Sequence, residues 1–345
     1  DASRGPATGL QPGDVIEAVD DQNVADLVRK WRPWYAASNE PTRLRDMAAS
    51  LTRGQPGTAR LRISRAGTRL AVTALRVPYT PGVAPTHDRP GDTFQLLTGD
   101  VAYLKLSSVK SADIPSYLQR AAGTKVLVVD IRNYPSEFVV FTLGGHFVDR
   151  ATPFARFTAL DLSNPGAFTW RGPPVELQPL APRYAGKVMV LVDEVSQSQA
   201  EYTSMAFRAA GATIVGSTTA GADGNVSLIP LPGGLRTMIS GIGVFYPDKR
   251  PTQRVGIVPD LEVRPTIEGI RAGRDEVLEA AVSRALGQTW HAPTPAASSA
   301  AVPVAAALRD QGSSNVAAAA SRSAPPQTRS RLTQTRRSRS TPTVR

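Results

Sequence analysis

The chain has 345 residues, of which 41% are hydrophobic, enough for a buried core and, at about 150 residues per domain, for two domains. It contains no cysteine, which excludes a disulfide framework, a thiolate nucleophile and Cys-ligated zinc. Its three histidines, His87, His146 and His291, lie far apart in sequence, so a histidine-rich metal site is not expected.

Residues 1–80 read as a small β-rich domain. The opening DASRGPATGLQPGDVIEAV has no charged-then-apolar leader and reads as the interior of a domain. Gly9-Leu10-Gln11-Pro12-Gly13-Asp14 is a turn running into the strand VIEAV, with Gly13 suited to a positive φ. LRDMAASLTR (44–53) has the pattern of an amphipathic helix, broken by Gly54-Gln55-Pro56-Gly57. TARLRISR and TRLAVTALRV alternate and meet at Ala66-Gly67, a hairpin signature. Trp31, Trp34 and Tyr35 in KWRPWY suit either packing of an insertion or the lining of a peptide entrance.

Residues 81–90 form a Pro-rich linker. From 91 to 290 strand-like and helix-like segments alternate, which is α/β organisation. VAYLKL (101–106) predicts a strand and 112–122 a helix. KVLVVDI (125–131) and GKVMVLV (186–192) are unbroken apolar, β-branched runs, the composition of strands covered on both faces. A helix over 199–210 and the strand ATIVG (212–216) follow. Strands 125–131, 188–192 and 212–216 are expected in one sheet.

Residues 291–345 are Ala, Ser, Pro, Thr and Arg, a composition that predicts disorder. From Ala292 onward eight arginines face only Asp310, so this tail supplies +7 of the net charge of +11. A balanced body with a basic tail argues against a dedicated nucleic-acid domain. The tail is expected to be solvated without a dedicated partner, with weak contact to an anionic surface or polymer as the alternative.

The chemistry is expected in VMVLVDEVSQSQAEY (188–202). A buried strand ends, a polar turn carries serines, and a helix begins. Unpaired N–H groups and the helix dipole at such a point stabilise a developing oxyanion. Local pattern alone also allows plain N-capping, because Glu201 lies three residues after Ser198 and completes a capping box.

The wider order of motifs carries more. DIRNYPS (130–136), SQSQAE (196–201), GATIVGSTTAGADGNV (211–226), YPD (246–248) and GIVPD (256–260) occur in a sequence that resembles the S41 family of tail-specific, or C-terminal processing, peptidases. GLxxGDxI followed by strand, helix and hairpin resembles the back part of a PDZ domain. The resemblance implies a mixed α/β, ClpP/crotonase-like core behind a partial PDZ-like domain. It implies peptide or protein substrates, cleaved through an acyl-enzyme with no metal or organic cofactor, and an extracytoplasmic location.

Carried over by motif, the nucleophile falls on Ser198 and the backbone oxyanion donors on Gln199 and Ser136. The family's lysine position is Ala222, which cannot accept a proton. Asp223 beside it is expected to be an exposed carboxylate with an ordinary pKa, and so a poor base. His146 is a candidate base within the core. A tricorn-like branch of the family takes its histidine from a segment ahead of the PDZ-like domain and its acid near Gln253. The base is therefore expected from a segment preceding residue 1, with a peptide-binding scaffold that has lost catalysis as the alternative. Asp130 and Arg132 are expected to brace the end of strand 125–131.

Overall fold

In the computed structural model, which describes residues 9–76, 88–161, 163–164 and 166–293, the first turn leads into β1 (Val15–Val19) and β2 (Gln22–Asn23). His87, most of the 81–90 linker and the tail beyond Pro293 lie outside these residues. Helices α1 (Val24–Trp31) and α2 (Glu40–Ser50) precede a hairpin of β3 (Gly57–Arg65) and β4 (Thr68–Arg76). The four strands form one sheet in the order β2-β1-β3-β4.

Alternation does the work expected of it in this hairpin. Ala59, Leu61 and Ile63 of β3 are buried against Val19 and Leu27, while Arg60 and Arg62 between them face water. Ala66 and Gly67 both have positive φ, which gives the two-residue turn the twist of its strands. Helix α2 starts at 40 rather than 44. The Asn39 side chain caps it by accepting the Thr42 N–H at 3.1 Å, and Pro41 occupies its first turn. Helix α1 was not anticipated. At its end Trp31 stacks on Tyr35, while Trp34 is 83% exposed.

The remaining elements are β5 (Phe94–Thr98), β6 (Val101–Lys105), α3 (Ile114–Ala121), β7 (Val126–Asp130), α4 (Val140–Gly144), β8 (Thr152–Leu160), β9 (Phe168–Trp170), β10 (Val175–Leu177), β11 (Lys187–Val192), α5 (Gln199–Ala209), β12 (Thr213–Gly216), β13 (Val226–Pro230), β14 (Arg236–Ser240), β15 (Ile242–Phe245), β16 (Leu261–Glu262), α6 (Ile267–Arg271) and α7 (Glu276–Leu286). A six-stranded sheet runs β16-β12-β11-β7-β6-β5, parallel except for β5. Its centre, β11 and β7 with β12 alongside, is the trio expected from the apolar runs. Every residue of β7 is buried. One face of the sheet packs with α5 through Ala206 and Phe207, the other with α7 through Leu278, Ala281 and Val282.

Two features were not anticipated. A smaller antiparallel sheet, β10-β8-β15 with β9 also on β8, lies beside α5. A separate hairpin of β13 and β14 follows the 217–224 loop, and all its strand residues are exposed, Leu228 and Met238 among them.

At the end of β7 the buried Arg132 guanidinium bonds both carboxylate oxygens of Asp130 and, at 2.7 and 2.8 Å, both oxygens of Asp275. Tyr103 donates to Asp130 at 2.8 Å, and Asp275 also caps α7 by accepting the Leu278 N–H. One cation thus joins the sheet to the helix behind it. Replacing it leaves the buried Asp130 carboxylate and the partly buried Asp275 carboxylate without their cation. We predict that Arg132→Met lowers unfolding stability by about 3–5 kcal/mol in urea denaturation, the cost of breaking a buried pair by removing one partner. An unchanged midpoint would show that the network contributes nothing net.

Candidate active site

The turn between β11 and α5 is tied down from within. Ser196 is fully buried, and its Oγ donates to the Ile131 carbonyl at 2.9 Å while accepting the Asp193 N–H at 3.1 Å. Its hydroxyl is thus fully engaged in joining this turn to the end of β7. Ser198 is different. It is partly exposed and holds φ +55°, ψ −115°, a backbone state that side chains with a Cβ rarely adopt. Ser198 and Glu201 sit as a capping box, with the Ser198 N–H bonded to the Glu201 carboxylate at 3.1 Å and the serine oxygen facing the Glu201 N–H. A strained strand-to-helix turn that presents a serine hydroxyl is the geometry of a nucleophile elbow. The next N–H, that of Gln199, opens α5 and so has no acceptor within the helix.

Glu201 gathers the rest of the site. It is fully buried and takes the Ser198 and Ala222 N–H groups on one oxygen, at 3.1 and 2.9 Å. The other oxygen takes Gly221 N–H at 2.7 Å and the Thr219 hydroxyl at 2.5 Å. Thr219 Oγ1 in turn accepts the Ile257 N–H at 2.7 Å, and Asp260 accepts the Ile214 N–H at 2.8 Å, so GIVPD locks the 217–224 loop and β12. From the front half, α2 and its cap reach the same loops. Asn39 donates to the Thr219 carbonyl at 2.8 Å, Thr42 to the Ala220 carbonyl at 3.1 Å, and Arg45 to the Glu194 carbonyl at 2.7 Å.

The 133–138 turn lies alongside, because Gln199 Nε2 donates to the Glu137 carbonyl at 2.8 Å. Within it Ser136 is not the donor that was expected. Its N–H is given to the Leu106 carbonyl at 2.8 Å and its hydroxyl to the Val109 carbonyl at 2.6 Å, so the residue serves the 106–109 turn and has no N–H left to offer an oxyanion. Beyond it Phe138 stacks on Tyr202, ring centroids 6.1 Å apart, and remains half-exposed.

The profile of peptidase family S41 matches residues 100–263, the segment that holds all of this machinery except the contacts from α2. These residues belong to peptidase family S41. Solved structures agree on the fold. Mature CPAF complexed with lactacystin is 16% identical, with 77% of this chain and 76% of that one covered and a TM-score of 0.61. Mature CPAF alone is 14% identical over 78% and 75%, again at 0.61. A putative peptidase from Parabacteroides merdae is 20% identical over 77% and 90%, at 0.51. No curated protein matches the chain closely enough to count as a relative.

In the S41 core the position of the family's lysine, Ala222, supplies only its backbone N–H. His146 is buried and its Nδ1 lies 2.8 Å from the Pro182 carbonyl. A carbonyl only accepts, so Nδ1 carries the proton, and the ring is committed to the 182–184 loop instead of to Ser198. His291 is exposed and lies 3.6 Å from Glu279, on α7. Gln253 is held as an amide brace, with Nε2 donating to the Asp223 carbonyl at 2.8 Å and to the Ile242 carbonyl at 3.0 Å.

Asp223 corrects the sequence reading. It is 8% exposed, not open to solvent. Oδ1 accepts the Gly224 N–H at 2.8 Å, but Oδ2 is buried with no hydrogen-bond partner among the described residues. Burial pushes its carboxyl up to about 7, helped by the neighbouring Glu201 charge and opposed by the Gly224 N–H. What hid this is that its cover comes from residues distant in sequence, Ser240 and Gln253.

Two consequences for stability can be measured. Glycine relaxes a positive φ, so Ser198→Gly is predicted to be more stable than Ser198→Ala by about 1 kcal/mol. Equal stabilities would mean that the serine backbone is unstrained. For Asp223 the folded pKa lies above the unfolded one, so its contribution is fully present below about pH 4 and is lost as pH rises towards 7. Asp223→Asn removes that loss. The stability of the variant relative to the parent is predicted to shift in its favour by up to about 4 kcal/mol between pH 4 and pH 8, at about 1.4 kcal/mol per pKa unit. A pH-independent difference in urea melts would refute it.

Proposed function

We propose that this chain is a serine-type endopeptidase that cleaves peptide bonds through an acyl-enzyme on Ser198. The observation that carries the reading is the hydroxyl of Ser198, partly exposed and held at a positive φ on a strand-to-helix turn. Attack by Oγ on a peptide carbonyl places negative charge on the carbonyl oxygen, beside the opening N–H of α5 at Gln199. A second donor falls to the N–H of Glu137 or Phe138, further along the turn whose Ser136 is already engaged. The half-exposed Phe138 with Tyr202 favours an apolar substrate side chain beside the scissile bond. We read the front sheet as the back part of a PDZ-like domain and place the protein outside the cytoplasm, both on the strength of the sequence resemblance.

The alanine at the family's lysine position favours a second reading, a peptide-binding scaffold of the same fold without catalysis. A fluorophosphonate probe, which phosphonylates only an activated serine and releases fluoride, separates the two. Labelling at Ser198 that disappears in Ser198→Ala and persists in Ser196→Ala is the predicted outcome. Ser196→Ala loses two buried hydrogen bonds and should cost about 1–3 kcal/mol of stability while keeping the nucleophile. Failure to label any form, including one extended at its start, favours the scaffold.

A further inference from the structure

The hairpin of β13 and β14 takes no part in the site, and its composition calls for a physical reason. Antiparallel pairing puts Val226, Leu228 and Met238 on one face and Ile229 and Ile239 on the other, with Leu231 and Leu235 at the tip. These side chains are 37–66% exposed, and none joins a hydrophobic core of the described residues. Single exposed apolar side chains are ordinary, whereas a contiguous patch marks an interaction surface. A two-stranded hairpin is also marginal by itself in water. The patch continues at the hairpin's base. Gly241 follows β14, Ile242 pairs with Ala159, and the neighbouring pair, Leu160 with Phe168, leaves both side chains exposed.

A folded partner covers one face of a hairpin and leaves the other wet. Here both faces and the tip are apolar, which matches a medium that surrounds the element. Charge selects the medium. From Gly224 to Pro247 the chain has no acidic residue and one cation, Arg236, and the whole chain carries +11. Two residues beyond Phe168 on β9, the exposed Trp170 ring has the Arg156 guanidinium 5.0 Å and the Lys249 ammonium 5.6 Å from its centroid. Tryptophan beside cations is the chemistry of a membrane–water interface. The nearby acid, Asp161, is partly buried and engaged by the N–H and hydroxyl of Ser163.

We propose that the β13–β14 hairpin docks this protein, tip first, on an anionic phospholipid bilayer. The free edge of β14 sets the depth. The bonds from Leu231 N–H to the Leu235 carbonyl and from Gly241 N–H to the Asn225 carbonyl fix the phase of the ladder. The backbone N–H and C=O groups of Arg236, Met238 and Ser240 therefore point away from β13, with no backbone partner among the described residues. Unpaired backbone groups are excluded from hydrocarbon. Arg236 and the strand edge thus stay at headgroup level, where phosphates accept their N–H groups. The Leu231–Leu235 tip passes below, within the about 5–10 Å reached by interfacial elements.

The test is co-sedimentation of the full chain with phosphatidylcholine vesicles, with and without phosphatidylglycerol, at low and high salt. The parent is expected to bind the phosphatidylglycerol vesicles and to keep part of that binding at high salt, because an inserted apolar tip is not screened. The double variant Leu231→Asp, Leu235→Asp is expected to bind at least about tenfold more weakly and to lose the salt-resistant part altogether. Both side chains are exposed, so its urea midpoint is expected to match the parent's. Leu75→Asp, an equally exposed leucine on β4, is expected to bind as the parent does. Leu231→Trp is expected to add a tryptophan emission that shifts to the blue on the anionic vesicles. Absence of parent binding overturns the proposal, and so does an emission that does not shift. Parent-strength binding by the double variant also overturns it and assigns the contact to the basic tail. A parent that forms dimers through the hairpin and leaves the vesicles unbound overturns it in favour of a second copy of the chain.

Discussion

The site hangs on one buried carboxylate. Glu201 accepts from four donors, three of them backbone N–H groups, and these come from two loops that are otherwise separate in the chain. Burial raises its pKa against the pull of those donors, which shows how fully it is removed from water. A side chain in that position fixes where α5 begins, how Ser198 is turned, and where the 219–222 backbone runs. The six-stranded sheet supplies the platform, and this carboxylate joins the two loops at its edge, alongside the bonds from the Ala220 N–H to the Ser196 carbonyl and from Ser217 Oγ to Glu194.

The remaining features of the site are departures from comfort that the scaffold can sustain. Ser198 occupies a backbone state favourable only to glycine, and Asp223 keeps an oxygen unpaired in a dry place. Ser196, between them and the sheet, is the opposite, with donor and acceptor both satisfied. The division is physically sensible. Positions that hold the turn are saturated with hydrogen bonds, whereas positions that can meet a substrate are left open or strained.

How much was legible beforehand depended on where each residue's environment comes from. The parallel strands β7, β11 and β12 could be read because burial on both faces writes itself into an unbroken apolar run. The strand-to-helix turn that carries Ser198 could be read from the end of an apolar run, the serines that follow and the helix-forming residues after them. The β13–β14 hairpin could not, since its apolar residues are exposed and obey no inside-outside alternation. Ser136 and Asp223 were misjudged for one reason. The first is claimed by Leu106 and Val109, the second is covered by Ser240 and Gln253, and such long-range partners leave no trace in the neighbouring residues. The Asn39 cap was visible in principle, as an Asn ahead of Glu-Pro, and signals the start of α2 better than apolar spacing does.

The bonds from α2 carry a consequence for how the chain can be divided. Composition places a boundary at the proline-rich residues 81–90, and a core begun after that point would contain every strand of the large sheet. It would also leave the carbonyls of Glu194, Thr219 and Ala220 without the side chains of Arg45, Asn39 and Thr42. Those carbonyls belong to the two loops that Glu201 joins. The front half is thus a structural member of the site, and the seam in the sequence does not coincide with a seam in the working parts.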